Sequence, residues 1–343
     1  MDGSTISTIE TPKKVRKGIT GSTLKLVAII IMLIDHTAAT ILDRTLMARG
    51  MGELNAGNPQ AVLDFMSENA GIYYLDSFMR LIGRIAFPIF CFLLVEGFKY
   101  THNKWSYAIR LGIFALVSEI PFDLALMNRF LEFSHQNVYF TLLIGLLVLI
   151  GFELVSEKLA DKKWLPLLAA GGTVAVGCIV TYGFRGIIQF INIFLGAAQL
   201  GAGIALKDGV YIIIAIVITL LCLLIYLIMG RKGSFRKGSV LFADLLILVA
   251  GMLLAQLLRT DYSAFGILTI AVIYVLRKSN VKAVLGACIT LTIMSLSELT
   301  AFFALIPAAL YNGKRGWKMK YAFYIFYPGH LFLLYLICYF MGI

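Results

Sequence analysis

Mostly apolar stretches of roughly twenty residues recur near 24 to 42, 77 to 100, 105 to 126 and 136 to 155, each long enough to cross about 30 Å of hydrocarbon as a helix. Further apolar runs lie near 164 to 182, 187 to 206, 210 to 229, 238 to 258, 262 to 277, 283 to 311 and 321 to 341. The pattern predicts an all-α, polytopic transmembrane helical bundle with about 10–12 apolar segments. No fixed-period repeat interrupts it, and the long polar segments are the N-terminus and the stretch from 43 to 76. That organisation implies a basic, disordered tail over 1–23 followed by one membrane domain over 24–343.

Composition agrees with the pattern. The chain is 60% hydrophobic and only 14% charged, and its mean hydropathy is +0.88. Such a chain has too little polar surface to cover a soluble globule. The formal net charge of +11 sits in short clusters between apolar runs, which is the arrangement of cytoplasmic loops and argues against a nucleic-acid partner. Cys91, Cys178, Cys222, Cys288 and Cys338 have no Cys-x-x-Cys spacing and all fall within apolar runs, so neither a disulfide framework nor a metal site is expected. The apolar run from Leu24 continues to Leu42 and carries Asp35 and His36, which marks a retained first span and not a signal peptide.

Charge bias orients the spans. Lys13, Lys14, Arg16, Lys17 and Lys25 precede the first one, whereas the loop from 43 to 76 holds Asp43, Glu53, Asp64, Glu68 and Asp76 against Arg44 and Arg49. The N-terminus is therefore expected in the cytoplasm of a multi-pass cell-membrane protein. Lys99, His102 and Lys104, then Arg277, Lys278 and Lys282, then Lys314, Arg315, Lys318 and Lys320 should share that side. Two places break the alternation. Three apolar runs separate the basic loop at Lys158 to Lys163 from the cluster Arg231, Lys232, Arg236 and Lys237, so one run is re-entrant or broken. The run from 283 to 311 makes either two short crossings or one span with a surface segment.

An ionisable group near the bilayer centre costs at least about 2.5 to 3.5 kcal/mol on insertion scales and needs a partner or a purpose. Counted at 1.5 Å per residue from the cytoplasmic end of each run, His36 lies ~18 Å deep, Arg84 ~23 Å, Glu119 ~21 Å, Asp261 ~24 Å and His330 ~14 Å. Five groups from five spans thus fall in one layer, the pattern of a shared buried site. Lys25 and His36, eleven residues apart, return to within roughly 20° of one helix face. Lys25 and Glu96 mark a second layer near the cytoplasmic face, so the site is entered from that side. Arg84 is expected to neutralise Asp35 or Glu119, a structural role before a catalytic one. Glu119 and Asp123, four residues apart around Pro121, present two carboxylates on one face and are expected to line a wet cavity at a kink. His102 and His135 sit at loop margins, and Phe323, Tyr324, Phe326 and Tyr327 read as an interfacial belt. The segment from Asn312 to Gly316 is glycine-rich and basic but lacks the phosphate-loop pattern.

These polar signatures occur as KLVAIIIMLIDH from Lys25 to His36, GRIAFPIFCFLLVEGFKYT from Gly83 to Thr101, RLGIFALVSEIPFD from Arg110 to Asp123, and QNVYFTLLIG from Gln136 to Gly145. Asp261-Tyr262-Ser263, LYNGKRG from Leu310 to Gly316 and FYIFYPGHL from Phe323 to Leu331 complete the set. In order and spacing they resemble the TraX family, named for the conjugal-transfer pilin acetylation protein. The likeness covers roughly 24 to 145 and 259 to 335; 164–258 carries no matching motif and reads as divergent or additional spans, and Ser263 stands where Gly is expected. The resemblance implies membrane acetyl transfer from acetyl-CoA to an amine or hydroxyl of a pilin-like protein, a glycan or a small molecule. It makes His36 the catalytic base or acyl acceptor. Asp35 orients it, Arg84 stabilises an oxyanion, and Glu119 and His330 join the catalytic set. Lys25, Glu96, Lys314 and Arg315 form the donor side, and Asp123, Asp261 and Tyr262 the substrate side.

A secondary transporter would also bury charge at the midplane, but it predicts inverted repeats that this chain lacks. A purely structural assembly factor leaves the buried layer without a purpose.

Overall fold

The computed structural model describes residues 18–54, 58–197, 204, 206–317 and 320–343. The tail cations Lys13, Lys14, Arg16 and Lys17, and Lys318, lie outside the described residues. Among those residues the structure is helical throughout, with two isolated bridges as its only β pairing. The all-α bundle read from the hydrophobic pattern is the observed fold.

α1 (Gly21–Thr37) begins three residues earlier than the pattern places it, so the end of the expected tail is ordered. Thr20 caps it by accepting from the Thr23 N–H. It passes through one wide turn at Ala38–Leu42 into α2 (Asp43–Ala48). Thr37 and Thr40 donate their hydroxyls to the Leu33 and His36 carbonyls there, the back-bonding that bends helices. α3 (Pro59–Glu68) leads to α4 (Ala70–Gly83) and α5 (Ala86–Tyr100), one passage broken at Arg84 and Ile85. α6 (Lys104–Phe122) and α7 (Val138–Leu154) follow, and α7 becomes the central helix, flanked by α5 and α6 and by the later α10 and α11.

The parity problem resolves in α8 (Leu165–Ala197), which is one uninterrupted helix where two runs were expected. Its crossing portion ends near Arg185, which meets Asp208 at 3.5 Å and lies over the Tyr211 ring at the start of α9 (Asp208–Met229). Twenty-one residues from 165 to 185 span about 31 Å, so the rest of α8 projects beyond the crossing. Lys232 and Gly233 leave helical geometry and separate α9 from α10 (Phe235–Leu257). The chain has then crossed twice between the two basic loops, and Arg236 meets Asp161 at 2.8 Å across them. α8 lies against α10 closely enough that a β-carbon at Gly172 would sit 1.8 Å from the Phe242 carbonyl oxygen.

α11 (Ser263–Leu276) and α12 (Asn280–Met294) form a hairpin, and a 3-10 stretch over Leu296–Ala304 with α13 (Leu305–Leu310) returns along α12. The 283–311 run therefore makes two short crossings. α14 (Lys320–Met341) closes the bundle against α1 and α6. Six helical stretches are long and apolar enough to span a bilayer, one of them holding both α9 and α10; with α6 and the shorter apolar helices the described residues make eleven passages.

All the basic loops fall on one face. Lys104 pairs with Glu153, joining the start of α6 to the end of α7. The LYNGKRG segment clasps the start of α1: the Lys314 and Arg315 carbonyls accept from the Gly21 and Ser22 N–H groups at 2.8 and 2.9 Å. The Tyr311 hydroxyl donates to Glu96 at 3.3 Å from the same loop.

This connectivity predicts labelling by an impermeant thiol reagent. In a background lacking the native cysteines, Asn103→Cys, Lys162→Cys and Lys232→Cys should react from one side of the membrane and Ser134→Cys from the other. Reaction of position 232 from the side of position 134 would restore a third crossing and contradict the single α8.

Candidate active site

The ionisable residues meet in partnerships other than those expected. His36 ends α1 and faces α14, where His330 stands one turn beyond Phe326. Lys25 lies 5.3 Å from the Phe323 ring of the same helix, so Lys25 and His36 share the α14-facing side as their spacing requires. His36 Nδ1 and His330 Nε2 are 2.7 Å apart, and His330 Nδ1 is 2.8 Å from the Phe326 carbonyl oxygen.

That chain of contacts fixes the tautomers of the neutral pair. A carbonyl only accepts, so His330 Nδ1 carries the proton and its Nε2 presents a lone pair. His36 Nδ1 must then donate, which leaves His36 Nε2 bare. A side chain that orients a second imidazole in this way produces a base at a defined atom. The partner of His36 is thus His330 and not Asp35.

Asp35 points the other way, to Arg80 of α4 at 2.7 Å. The helices approach so closely there that a β-carbon at Gly83 would lie 2.2 Å from Asp35 Oδ1. Arg84, expected to neutralise Asp35 or Glu119, instead pairs at 3.2 Å with Glu298, a carboxylate only 1% exposed in the 3-10 stretch. Glu298 is a partner that sequence reasoning overlooked. Arg80 was also overlooked, although both charges interrupt apolar runs.

Glu119 and Asp123 each fasten the approach to α7. Asn137, fully buried at the start of α7, donates its amide to Glu119 and to the Ala115 carbonyl, pinning α6 to α7. Asp123 is 0% exposed and accepts the Glu132 N–H at 2.8 Å, bracing the loop before α7. In that loop the Arg129 guanidinium, with help from Ser134, holds Glu132 below the ordinary carboxylate range. Of the expected aromatic belt, Tyr327 is buried and meets the His36 ring edge-on at 5.9 Å, while half-buried Tyr324 stacks on Phe114.

Asp261 and Tyr262 line a cavity of about 470 Å³ together with Arg84 and His135. Asp261 lies 3.9 Å from His135, and Tyr262 stacks on Phe87. His135, at its loop margin, has its side chain 39% exposed and forms part of this wall. On the basic face, Glu96 is committed to Tyr311 and Lys99 and serves as an anchor. The Lys314 and Arg315 backbones fasten α1 and their side chains are exposed. Lys25, Lys314 and Arg315 have no carboxylate partner among the described residues.

The TraX protein model matches residues 20–223 and 204–338, which is nearly the whole chain. The chain belongs to the TraX family. It is also 29% identical over 165 residues to the probable fimbrial assembly protein FimC, serogroup H1, of Dichelobacter nodosus; the match takes in 45% of this chain and 54% of that protein. No solved structure matches. The segment 164–258, where no motif is visible, lies within the two matched ranges.

The Arg84 pairing predicts that Arg84→Ala strands a buried carboxylate and lowers stability by about 3 to 5 kcal/mol. Thermal unfolding in detergent should show it, and the apolar double variant Arg84→Met with Glu298→Met should recover most of the loss. Unchanged melting of Arg84→Ala would refute the structural role.

Proposed function

We propose that this TraX-family protein is a membrane acetyltransferase that moves an acetyl group from acetyl-CoA to an amine or hydroxyl acceptor. The observation that carries the reading is the His36–His330–Phe326 relay, which leaves His36 Nε2 unprotonated inside the bundle. In the transfer, Nε2 takes the proton of the acceptor as its oxygen or nitrogen forms a bond to the thioester carbonyl carbon. The carbon–sulfur bond then breaks, and the coenzyme A thiolate recovers a proton from Nε2.

Lys25 supports a donor path from the basic face. It stands eleven residues before His36 on the same side of α1, beside Arg315, and lacks a carboxylate partner among the described residues. Two adjacent cations without an anion suit the phosphates of coenzyme A. The LYNGKRG clasp occupies the first N–H groups of α1, so side chains and not the helix end supply that recognition. The excess of Lys and Arg on this face supports a cytoplasmic N-terminus. The fimbrial-assembly name of the relative supports a surface-filament subunit as the carrier of the acceptor group.

Purified protein with radiolabelled acetyl-CoA should release coenzyme A and transfer label. His36→Gln should keep the fold and lower single-turnover transfer by about 10²-fold or more, because an amide cannot accept the proton. Lys25→Ala should raise KM for acetyl-CoA with a smaller change in kcat, as for a positioning charge outside the reacting centre. Near-parental transfer by His36→Gln would eliminate the mechanism; absence of any acetyl-CoA turnover in the folded parent would favour a transporter.

A further inference from the structure

The cavity beside Arg84 lies at the end of the bundle away from the basic loops, at the turn joining α10 to α11. Of its ten lining residues only Met294 is apolar. The other nine bring polar groups on carbon stems, a mixed wall that suits a sugar ring with its hydroxyls.

Its rim is held in an unfavourable backbone conformation. Arg259, Tyr262 and Ser263 have φ of 51°, 59° and 44°, the left-handed region that non-glycine residues avoid. The surroundings impose it. Gln136 exchanges backbone hydrogen bonds with Arg259 and Asp261 at 3.1 and 3.0 Å, Thr141 donates to the Asp261 carbonyl, and the Ser263 hydroxyl donates to Gln256 at 2.5 Å. Three such positions in five residues, fixed by contacts from two other segments, are the kind of strain retained at ligand sites. Ser263, which replaces the expected glycine, adds a hydroxyl to this rim.

The charges are unbalanced in one direction. Arg84 is matched by Glu298, and Asp261 faces His135. Arg259 is exposed and has no carboxylate partner among the described residues. The cavity borders the ionisable layer: its wall residue Arg84 directly follows Gly83, against which Asp35, the neighbour of His36, is packed.

We propose that this cavity is the acceptor site and takes a hydroxyl-rich sugar unit bearing a carboxylate or phosphate, with the anion at Arg259 and the reacting hydroxyl directed inward past Arg84 and Tyr262. The inference rests on the acetyl-transfer reading for its name as an acceptor site, and on the cavity alone for its ligand class.

Equilibrium dialysis of the purified full chain in detergent, without acetyl-CoA, tests it with labelled glucuronate, glucose 6-phosphate and glucose. Anionic probes should bind at least about tenfold more tightly than glucose, the ratio of one charge-assisted contact. Arg259→Gln should abolish that preference, and Arg259→Lys should keep part of it. Preference for only one of the two anions upholds the site and names its chemistry. Equal binding of all three probes, or a preference that survives Arg259→Gln, overturns it. Because no donor is present, a failure of His36-dependent transfer leaves this result standing, whereas absent probe selectivity with intact coenzyme A release removes the acceptor site alone.

Discussion

A charge inside hydrocarbon must find an opposite charge or a hydrogen-bond chain, and that requirement organises this bundle. Three pairs each bridge a different helix contact. Asp35 and Arg80 join α1 to α4, Arg84 and Glu298 join the break between α4 and α5 to the 3-10 stretch, and His36 and His330 join α1 to α14. Misplacing any of these helices by a fraction of a turn would strand a charge, so the pairs specify rotation and neighbour as well as contributing contact energy. Irregular backbone occurs at the same positions. The passage formed by α4 and α5 breaks at Arg84, α1 widens just beyond His36, and Glu298 lies in 3-10 geometry. Non-helical backbone at membrane depth is tolerated where protein surrounds it, and here it aims the polar side chains inward.

α1 links the two polar layers. At its start the LYNGKRG clasp and the Glu96–Tyr311 contact fasten it to the basic face, with Lys25 and Arg315 left without carboxylate partners among the described residues. At its end His36 receives its orientation from α14. Lys25 in the first layer and His36 in the second are separated by about 16 Å along one helix face. The Phe326 carbonyl, itself part of α14, sets the direction of every hydrogen bond between it and His36 Nε2.

Much of this was legible in the chain. Apolar run lengths gave the passages, and the eleven-residue spacing placed Lys25 and His36 on one face, which is the face α14 covers. The polar motifs gave the TraX family. Partner identity was not legible, because it depends on which helices become neighbours and how each is rotated. Arg84 and Asp35 were natural partners by depth, yet Arg80 lies nearer to Asp35, and Glu298 comes from a segment whose path the run from 283 to 311 left open. The apolar runs from 164 to 182 and from 187 to 206 read as two segments, but α8 continues through the gap between them. Asn137 stood inside a quoted motif, but its grip on Glu119 and Ala115 appears only when α6 and α7 are side by side.

The protonation pattern of the two buried histidines tests the central claim most directly. Nitrogen-15 NMR of protein labelled at histidine, with His102 and His135 replaced to simplify the spectrum, reports which ring nitrogens carry protons. At neutral pH both remaining rings should be neutral with the proton on Nδ1, and His330→Phe should remove that constraint from His36. A proton on His36 Nε2, or a permanently cationic ring at either position, would contradict a base poised by the His330–Phe326 relay.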